Sequence, residues 1–336
     1  MKLKQTFSAF GVAALMAGAL SASPTAAMAD SIIKVDGSST VFPITEAVAE
    51  EFQKSQKATK VTVGVSGTGG GFKKFCRGET DISDASRPIS KKEMDLCKAA
   101  GIKYVELPVA FDALTVVVNP KNDWLKTATV EELKKMWEPA AQGKILKWSD
   151  VNPKWPNEKL ALFGPGADSG TFDYFTDAIN GKEKASRGDF TASEDDNTLV
   201  QGVARNKYAL GYFGLAYYVE NKDKLKAVSI INKGSTKAVA PSLETVMAGT
   251  YQPLARPIFI YVAEKSMAKP EVKEFVNFYI KHAPKLTKEV GYIPLSSEHY
   301  ALANKNFNGK KLGTGFGGKN EVGVRVEELL KREAHL

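Results

Sequence analysis

Three hydroxyl-rich turns, each joining a strand-like segment to a helix-like one, constrain the fold of this chain most. The turns are Gly37–Pro43, Ser66–Gly71 and Asp168–Phe175. The first two directly follow apolar runs at 32–35 and 61–65. Strand-like runs that alternate with helical patterns in this way predict an α/β fold with mainly parallel sheets.

The third turn carries the clearest helix start. Ser169 is a favourable N-cap residue, and Asp173 lies in the first turn, where a carboxylate complements the helix dipole. A helix that begins here places Phe172, Phe175 and Ile179 on one buried face, since they recur at intervals of three and four.

The unpaired backbone N–H groups of such helix starts, beside hydroxyls, form a site for a tetrahedral oxyanion. Glycine lets the backbone approach the anion closely. No Gly-Lys-Ser/Thr follows the glycines of the second turn, which excludes a nucleotide P-loop. Hydroxyls and backbone N–H groups in the three turns, including those of Ser39 and Gly69, are candidate ligands for such an anion.

Positive charge for the anion comes from the segment Asp81–Ile89. Its Arg87 offers a fork that matches the oxygens of a tetrahedral oxyanion, and Ser86 beside it adds a further donor. The alternative is a surface ion pair between Arg87 and Asp84.

The first 29 residues have the pattern of a secretory signal peptide. Lys2 and Lys4 precede an apolar run from Phe7 to Leu20, and the small residues of 27–29 end the segment. The run is shorter than the ~20 residues needed to span a membrane. We therefore expect export to the periplasm, cleavage after Ala29 and a soluble mature chain.

Cys76 and Cys97 are the only cysteines in the sequence. An even pair in an exported protein predicts a disulfide bond. Neither has a histidine or a further cysteine nearby, which argues against a metal site.

A chain of 336 residues usually forms two domains. Two long apolar strands, which contain 113–118 and 257–262, are the expected crossings between them. The first lobe is then discontinuous, with 30–117 and 257–336, and the second lobe is the inserted segment 118–256.

Composition and motifs exclude several functional classes. The net charge of +8 is scattered among acidic residues, with no basic run or aromatic-basic motif for nucleic acid. The alternative function is that of an exported hydrolase. A serine hydrolase needs a histidine as its general base, and the only histidines of the chain are His282, His299 and His335. No Gly-x-Ser-x-Gly elbow and no cluster of metal ligands occurs.

The order and spacing of four segments resemble those of the periplasmic phosphate-binding proteins that feed phosphate ABC transporters. The segments are 37–43, 66–74, 81–90 and 168–175. This resemblance implies a hinged, type II-like fold of two α/β lobes, whose cleft closes on phosphate. It also implies a membrane permease as partner, a monomer and no cofactor. By this resemblance, the ligands of the first turn are Thr40 and Val41, and the hydroxyl of the second turn is that of Thr68. The ligands of the third turn are Ser169, Gly170 and Thr171.

Two positions depart from the best-known members of that family. Pro165 stands where they have an arginine, and Ser86 stands where they have the aspartate that accepts the phosphate proton. Arg87 is the expected substitute for the arginine. Asp36, Asp84 and Asp168 all remain candidates for the proton acceptor. Without an assigned acceptor, another oxyanion such as sulfate or arsenate is the alternative ligand.

Overall fold

A computed structural model describes residues 31–167, 169–193, 195–319, 321 and 324–336. The signal-peptide prediction, over residues 1–29, and the candidate Asp168 lie outside the described residues. Within them, no helix combines the length and the apolar character needed to cross a membrane.

Strands and helices alternate along most of the described chain. The strands are β1 (Ser31–Gly37), β2 (Thr59–Val65), β3 (Ile82–Ala85), β4 (Tyr104–Val118), β5 (Thr127–Thr129), β6 (Ala161–Gly164), β7 (Thr191–Ala192), β8 (Ala209–Gly214), β9 (Lys226–Ala227), β10 (Ser229–Ile231), β11 (Ala238–Val239), β12 (Ala255–Ala263) and β13 (Ile293–Pro294). The helices are α1 (Phe42–Ser55), α2 (Thr68–Cys76), α3 (Lys91–Ala99), α4 (Val130–Trp137), α5 (Trp148–Val151), α6 (Gly170–Phe175), α7 (Asp196–Arg205), α8 (Leu215–Glu220), α9 (Leu243–Met247), α10 (Pro270–Glu289), α11 (Ser297–Asn308) and α12 (Val326–Lys331).

The central sheet has the strand order β2-β1-β3-β12-β4-β8-β6-β7. Strand β4, buried along its whole length, joins its two halves. Up to Ala113 it pairs with β12, and from Leu114 onward it pairs with β8. The apolar strand that the sequence marked as a crossing therefore belongs to both halves, while the boundary at 117/118 stays a prediction.

The predicted α/β fold class is confirmed, but the sheet is more mixed than the alternation indicated. The pairs β1–β2 and β1–β3 in one half, and β6–β7 and β6–β8 in the other, are parallel. Strand β12 runs antiparallel to both β3 and β4, and β4 runs antiparallel to β8. Mainly parallel sheets were expected because a local sequence pattern shows only that strands and helices alternate. It does not reveal that the crossing strand β12 returns antiparallel to its neighbours.

In the first half, helices cover both faces of the sheet. The apolar stripe of α1, with Ile44, Val48 and Phe52, is buried as its spacing predicts, and Phe52 packs edge-on against Phe275 of α10 at 5.2 Å. A second apolar cluster of α2 and α3 lies around Phe72.

The predicted Cys76–Cys97 disulfide is present, with the two sulfur atoms 2.02 Å apart. It joins the last residue of α2 to α3, and both cysteines are buried. The bond therefore fixes the two helices that follow the second and third loops described below.

In the second half, aromatic packing holds α6 against the sheet. Phe175 stacks on Tyr212 of β8 with ring centroids 3.7 Å apart, and Trp137 packs edge-on against both rings. Phe172 and Ile179 are buried, as the sequence predicts. After Phe175 the chain continues as a π-helical turn over Thr176–Asn180.

Candidate functional site

Three of the predicted ligand loops lie together because of the strand order. Residues 38–41, 66–68 and 86–87 follow the carboxyl ends of β1, β2 and β3, which are adjacent and parallel. Carboxyl ends of parallel strands meet at one edge of a sheet, where α/β proteins bind their ligands. The fold thus brings three separate sequence motifs to one place.

The first loop folds back on itself before α1. The amide of Ser38 donates to the Asp84 carbonyl at 3.0 Å, and the amide of Thr40 donates to the Ser38 hydroxyl at 3.2 Å. Thr40 and Val41 are buried, and Val41 is the N-cap residue of α1. Ser39 lies half-buried between them.

The second and third loops are joined by hydroxyl groups. The Thr68 and Ser86 hydroxyl oxygens are 3.0 Å apart, and the Ser86 amide donates to Thr68 Oγ1 at 3.1 Å. Because Thr68 Oγ1 accepts this bond, its hydroxyl hydrogen remains a donor.

Gly71 of α2 is needed for close packing between this helix and β1, which the sequence did not reveal. A Cβ atom there would lie 2.6 Å from Gly37 Cα, so the missing side chain lets α2 approach β1 closely. Gly69, at the start of the same helix, lies beside the Arg87 guanidinium.

The fourth loop belongs to the other half of the sheet. Ser169 is the N-cap of α6, and its hydroxyl accepts from the Thr171 amide at 3.2 Å, as predicted. A Cβ atom on Gly170 would lie 2.6 Å from the Thr40 hydroxyl oxygen and 3.0 Å from its amide nitrogen. Only glycine permits this approach, so the turns from the two halves of the sheet touch each other.

Arg87 does not pair with Asp84, which corrects the alternative drawn from the sequence. Its guanidinium binds both carboxylate oxygens of Glu93, at 2.9 and 2.8 Å. Glu93 also accepts from the amide and hydroxyl of Ser90, in the capping box of α3. The sequence pointed to Asp84 because it lies only three residues before Arg87.

The structure treats the three proposed proton acceptors differently, since Asp36 has side-chain partners, whereas both carboxylate oxygens of Asp84 lack a hydrogen-bond partner among the described residues. Asp36 accepts from the Ser66 hydroxyl and pairs with Lys74 at 2.6 Å. Asp84 is fully buried, and burial raises its pKa to about 7, although the Thr45 hydroxyl acts in the opposite direction. Asp168, the third, lies outside the described residues.

A buried pair that the sequence analysis missed lies on the two crossing strands. Arg256 of β12 stands directly opposite Asp112 of β4, with 3.5 Å between Nε and Oδ2. Neither of these two atoms makes a hydrogen bond within the described residues. Burial raises the pKa of Asp112 to about 6, an effect that Arg256 partly offsets. The available signal was a charged residue inside each of two apolar strands.

The pair joins two small cavities beside the predicted ligands. Arg256 lines a cavity of about 180 Å³ together with Ser86, Arg87 and Tyr174. Asp112 lines a second cavity, of about 140 Å³, together with Thr171. The pair therefore lies between the ligand residues of the two halves of the sheet.

The residues required by the alternative chemistries are elsewhere. Among the described residues, no group of three or more His, Cys, Asp and Glu side chains has the arrangement of a metal site. His282 stacks on Phe278 with ring centroids 4.0 Å apart, and His299 is half-buried in α11. Neither lines the two cavities.

Comparison with known proteins gives a consistent result. Residues 22–282 match the model of the PBP superfamily domain. The chain is 55% identical over 302 residues to protein SphX of Synechococcus elongatus, which covers 90% of this chain and 89% of that protein. It is 40% identical over 271 residues to the phosphate-binding protein PstS of Staphylococcus saprophyticus, covering 80% and 82% of the two chains.

A solved structure supports the same relationship. It is described as a possible phosphate-binding protein from Planctomyces limnophilus, and it is 49% identical to this chain with a TM-score of 0.80. The match covers 83% of this chain and 98% of that one.

Proposed function

We propose that this chain, which belongs to the PBP superfamily and within it to the family of PstS-type phosphate-binding proteins, binds inorganic phosphate and delivers it to an ABC-type transporter. The observation that carries the proposal is the contact of Gly170 with Thr40. It unites hydroxyl-rich loops from both halves of the sheet at one site. The relatives named for phosphate binding support the choice of ligand.

The proposed ligands come from four loops. Helix N-termini present backbone N–H groups to the anion, and serine and threonine hydroxyls add donors. Several of these N–H groups bond to the chain's own hydroxyls in this structure, at Thr40, Ser86 and Thr171. The proposed ligand residues are Ser39, Thr40, Val41, Thr68, Gly69, Ser86, Arg87, Ser169, Gly170 and Thr171.

Within this set, Arg87 has a limited role. Its fork is already engaged by Glu93, so it contributes its field at the edge of the cavity more than a two-pronged contact.

The two lobes of the proposal are residues 30–117 with 257–336, and residues 118–256. Strands β4 and β12 lie side by side where β4 changes its partner, which supports a hinge there. Phosphate then favours the closed arrangement because it gains contacts from both lobes at once.

The remaining assignments follow from the family and the sequence. The protein acts in the periplasm after cleavage behind Ala29, as a monomer with the transporter's permease as its partner. Neither a cofactor nor nucleic acid takes part, and binding is non-covalent, so the chain acts as a binding protein and not as an enzyme.

Calorimetric titration of the purified mature protein with phosphate, arsenate and sulfate tests this function. We expect saturable one-to-one binding of phosphate and weaker binding of sulfate. Strong sulfate binding with no heat from phosphate would support the other oxyanion, and turnover of phosphate esters would support the hydrolase. Either result would contradict the proposal.

A further inference from the structure

We propose that Asp112 and Arg256 are part of the oxyanion site, with Arg256 as its cationic fork and Asp112 as the group that accepts the phosphate proton. This inference rests on the proposed function and deepens it. The pair fills two roles, those of cation and proton acceptor. Arg87 and Asp36 have partners of their own, and Asp84 lines neither of the two cavities.

The position of the pair supports the inference. Its two members stand opposite each other on the crossing strands. One of them borders the cavity of Ser86, and the other borders the cavity of Thr171. Ser86 and Thr171 are both proposed ligands, and they come from different halves of the sheet. An anion held between those hydroxyls therefore lies next to the pair.

The pair also has unused hydrogen-bonding capacity. Asp112 Oδ2 and Arg256 Nε are buried and make no hydrogen bond within the described residues. Buried polar groups of native proteins nearly always have a partner, and an exception calls for an explanation. A bound oxyanion supplies both missing partners. Its oxygens accept from the guanidinium of Arg256, and its proton is donated to the carboxylate of Asp112.

Helix α6, which follows the fourth loop, holds the side chain of Arg256 in place. Its guanidinium carbon lies 3.7 Å from the ring centroid of Tyr174 in α6. The Tyr174 hydroxyl in turn donates to the Pro253 carbonyl at 2.6 Å. The arginine is thus positioned by the helix that begins with the ligands Gly170 and Thr171.

Charge at Asp112 decides between phosphate and sulfate. Monohydrogen phosphate has a proton to donate, whereas sulfate has none and meets an ionised carboxylate with repulsion. Protonated Asp112 can instead donate to sulfate. Because the pKa of Asp112 is raised to about 6, sulfate affinity should rise as the pH falls through that value.

Other titratable groups around Asp112 do not produce this profile. Burial raises the pKa values of Tyr174 and Tyr292, so both stay neutral near pH 6. Asp196 and Tyr217 also line the second cavity, and the variant Asp112→Asn separates their effects from that of Asp112.

The test is calorimetric titration with inorganic phosphate and sulfate, at pH 8 and at pH 5.5, of the wild type, Asp112→Asn and Arg256→Lys. In Asp112→Asn we expect the phosphate-to-sulfate affinity ratio at pH 8 to fall at least about tenfold, since an amide can donate to sulfate. Its sulfate affinity should no longer depend on pH. Arg256→Lys should weaken both anions by about 10- to 100-fold and leave their ratio unchanged.

Asp189→Asn is the matched control, because Asp189 also pairs with an arginine, Arg187, but lines neither cavity. It should bind both anions as the wild type does. If the wild type binds phosphate but folded Asp112→Asn and Arg256→Lys match it in both affinities, this inference fails and the proposed function stands. If the wild type binds neither anion, the proposed function fails and this inference with it.

Discussion

The arginines of two arginine–carboxylate pairs line the same cavity, and the two pairs differ in how fully their hydrogen bonds are used. Arg87 binds Glu93 through two bonds, and Glu93 also holds the start of α3. Arg256 and Asp112 face each other at 3.5 Å without a hydrogen bond. The Arg87 side chain is 33% exposed, and that of Arg256 is only 16% exposed.

The difference indicates which pair serves structure and which serves a ligand. A two-pronged, partly solvated pair at a capping box needs no further partner. A buried pair whose facing atoms make no hydrogen bond is costly for the fold. The crossing strands keep such a pair where the two halves of the sheet meet, and a ligand that completes its bonds explains its position.

The largest expected effect comes from Arg256→Ala. It leaves the Asp112 carboxylate buried and unpaired, so the free energy of unfolding should fall by about 3–5 kcal/mol at pH 8. The pKa of Asp112 is already raised in the folded protein, and it rises further without the arginine. The loss should therefore shrink as the pH falls to 5 and Asp112 becomes protonated.

Chemical denaturation at the two pH values measures this effect. The double variant Arg256→Ala/Asp112→Asn is the control, and it should recover most of the lost stability. A loss of the same size at both pH values would mean that the two side chains are not coupled.

Removing the disulfide should affect stability but not ligand selectivity. Cys76 and Cys97 join α2 to α3, the helix that carries Glu93, and are separated by 21 residues in the sequence. The double variant Cys76→Ser/Cys97→Ser should lose about 3 kcal/mol of unfolding free energy, the value for a loop of this size. Its phosphate-to-sulfate affinity ratio should match that of the wild type. A changed ratio would show that selectivity depends on the Arg87–Glu93 side of the cavity.

Loss of a loop hydroxyl should have an intermediate effect. Thr68→Ala and Thr171→Ala should each weaken phosphate binding by about 1–3 kcal/mol, because a charged acceptor loses a donor. The exposed Thr191, in β7, provides the control Thr191→Ala, which should leave affinity unchanged. Wild-type affinity in both loop variants would remove these two loops from the site.

The smallest expected effect is that of Arg87→Ala. Glu93 already neutralises the Arg87 guanidinium and occupies its fork, so the loss of this cation should cost phosphate no more than about 1 kcal/mol of binding free energy. Phosphate affinity, measured by calorimetry beside that of Arg256→Lys, should change by no more than this. A larger loss for Arg87→Ala than for Arg256→Lys would reverse the roles assigned to the two pairs.

Features set by neighbouring residues were predictable from the sequence. The cap at Ser169 and the buried face of α6 depend on spacings of a few residues, and the structure confirms both. The disulfide was predictable because only two cysteines exist. The long apolar run of β4 also marked the strand that joins the two halves.

Features set by strand register were not predictable. Asp112 and Arg256 lie far apart in the chain and meet only because β12 returns antiparallel beside β4. The Arg87–Glu93 pair was not predictable either, because a short sequence window shows the charge of Arg87 but not the geometry of its bonds. A pattern of residue types thus located loops that the strand order brings together, but not the ion pairs beside them.

A crystal structure of the mature protein with arsenate, located by its anomalous scattering, tests the central claim most directly. Arsenate has the shape and the protons of phosphate. The arsenic peak should mark an anion whose oxygens lie within hydrogen-bond reach of Thr40, Thr68, Ser86 and Thr171, with Arg256 and Asp112 completing its contacts. A peak away from these loops, or one in contact with Arg87 and not with Arg256, would contradict the account.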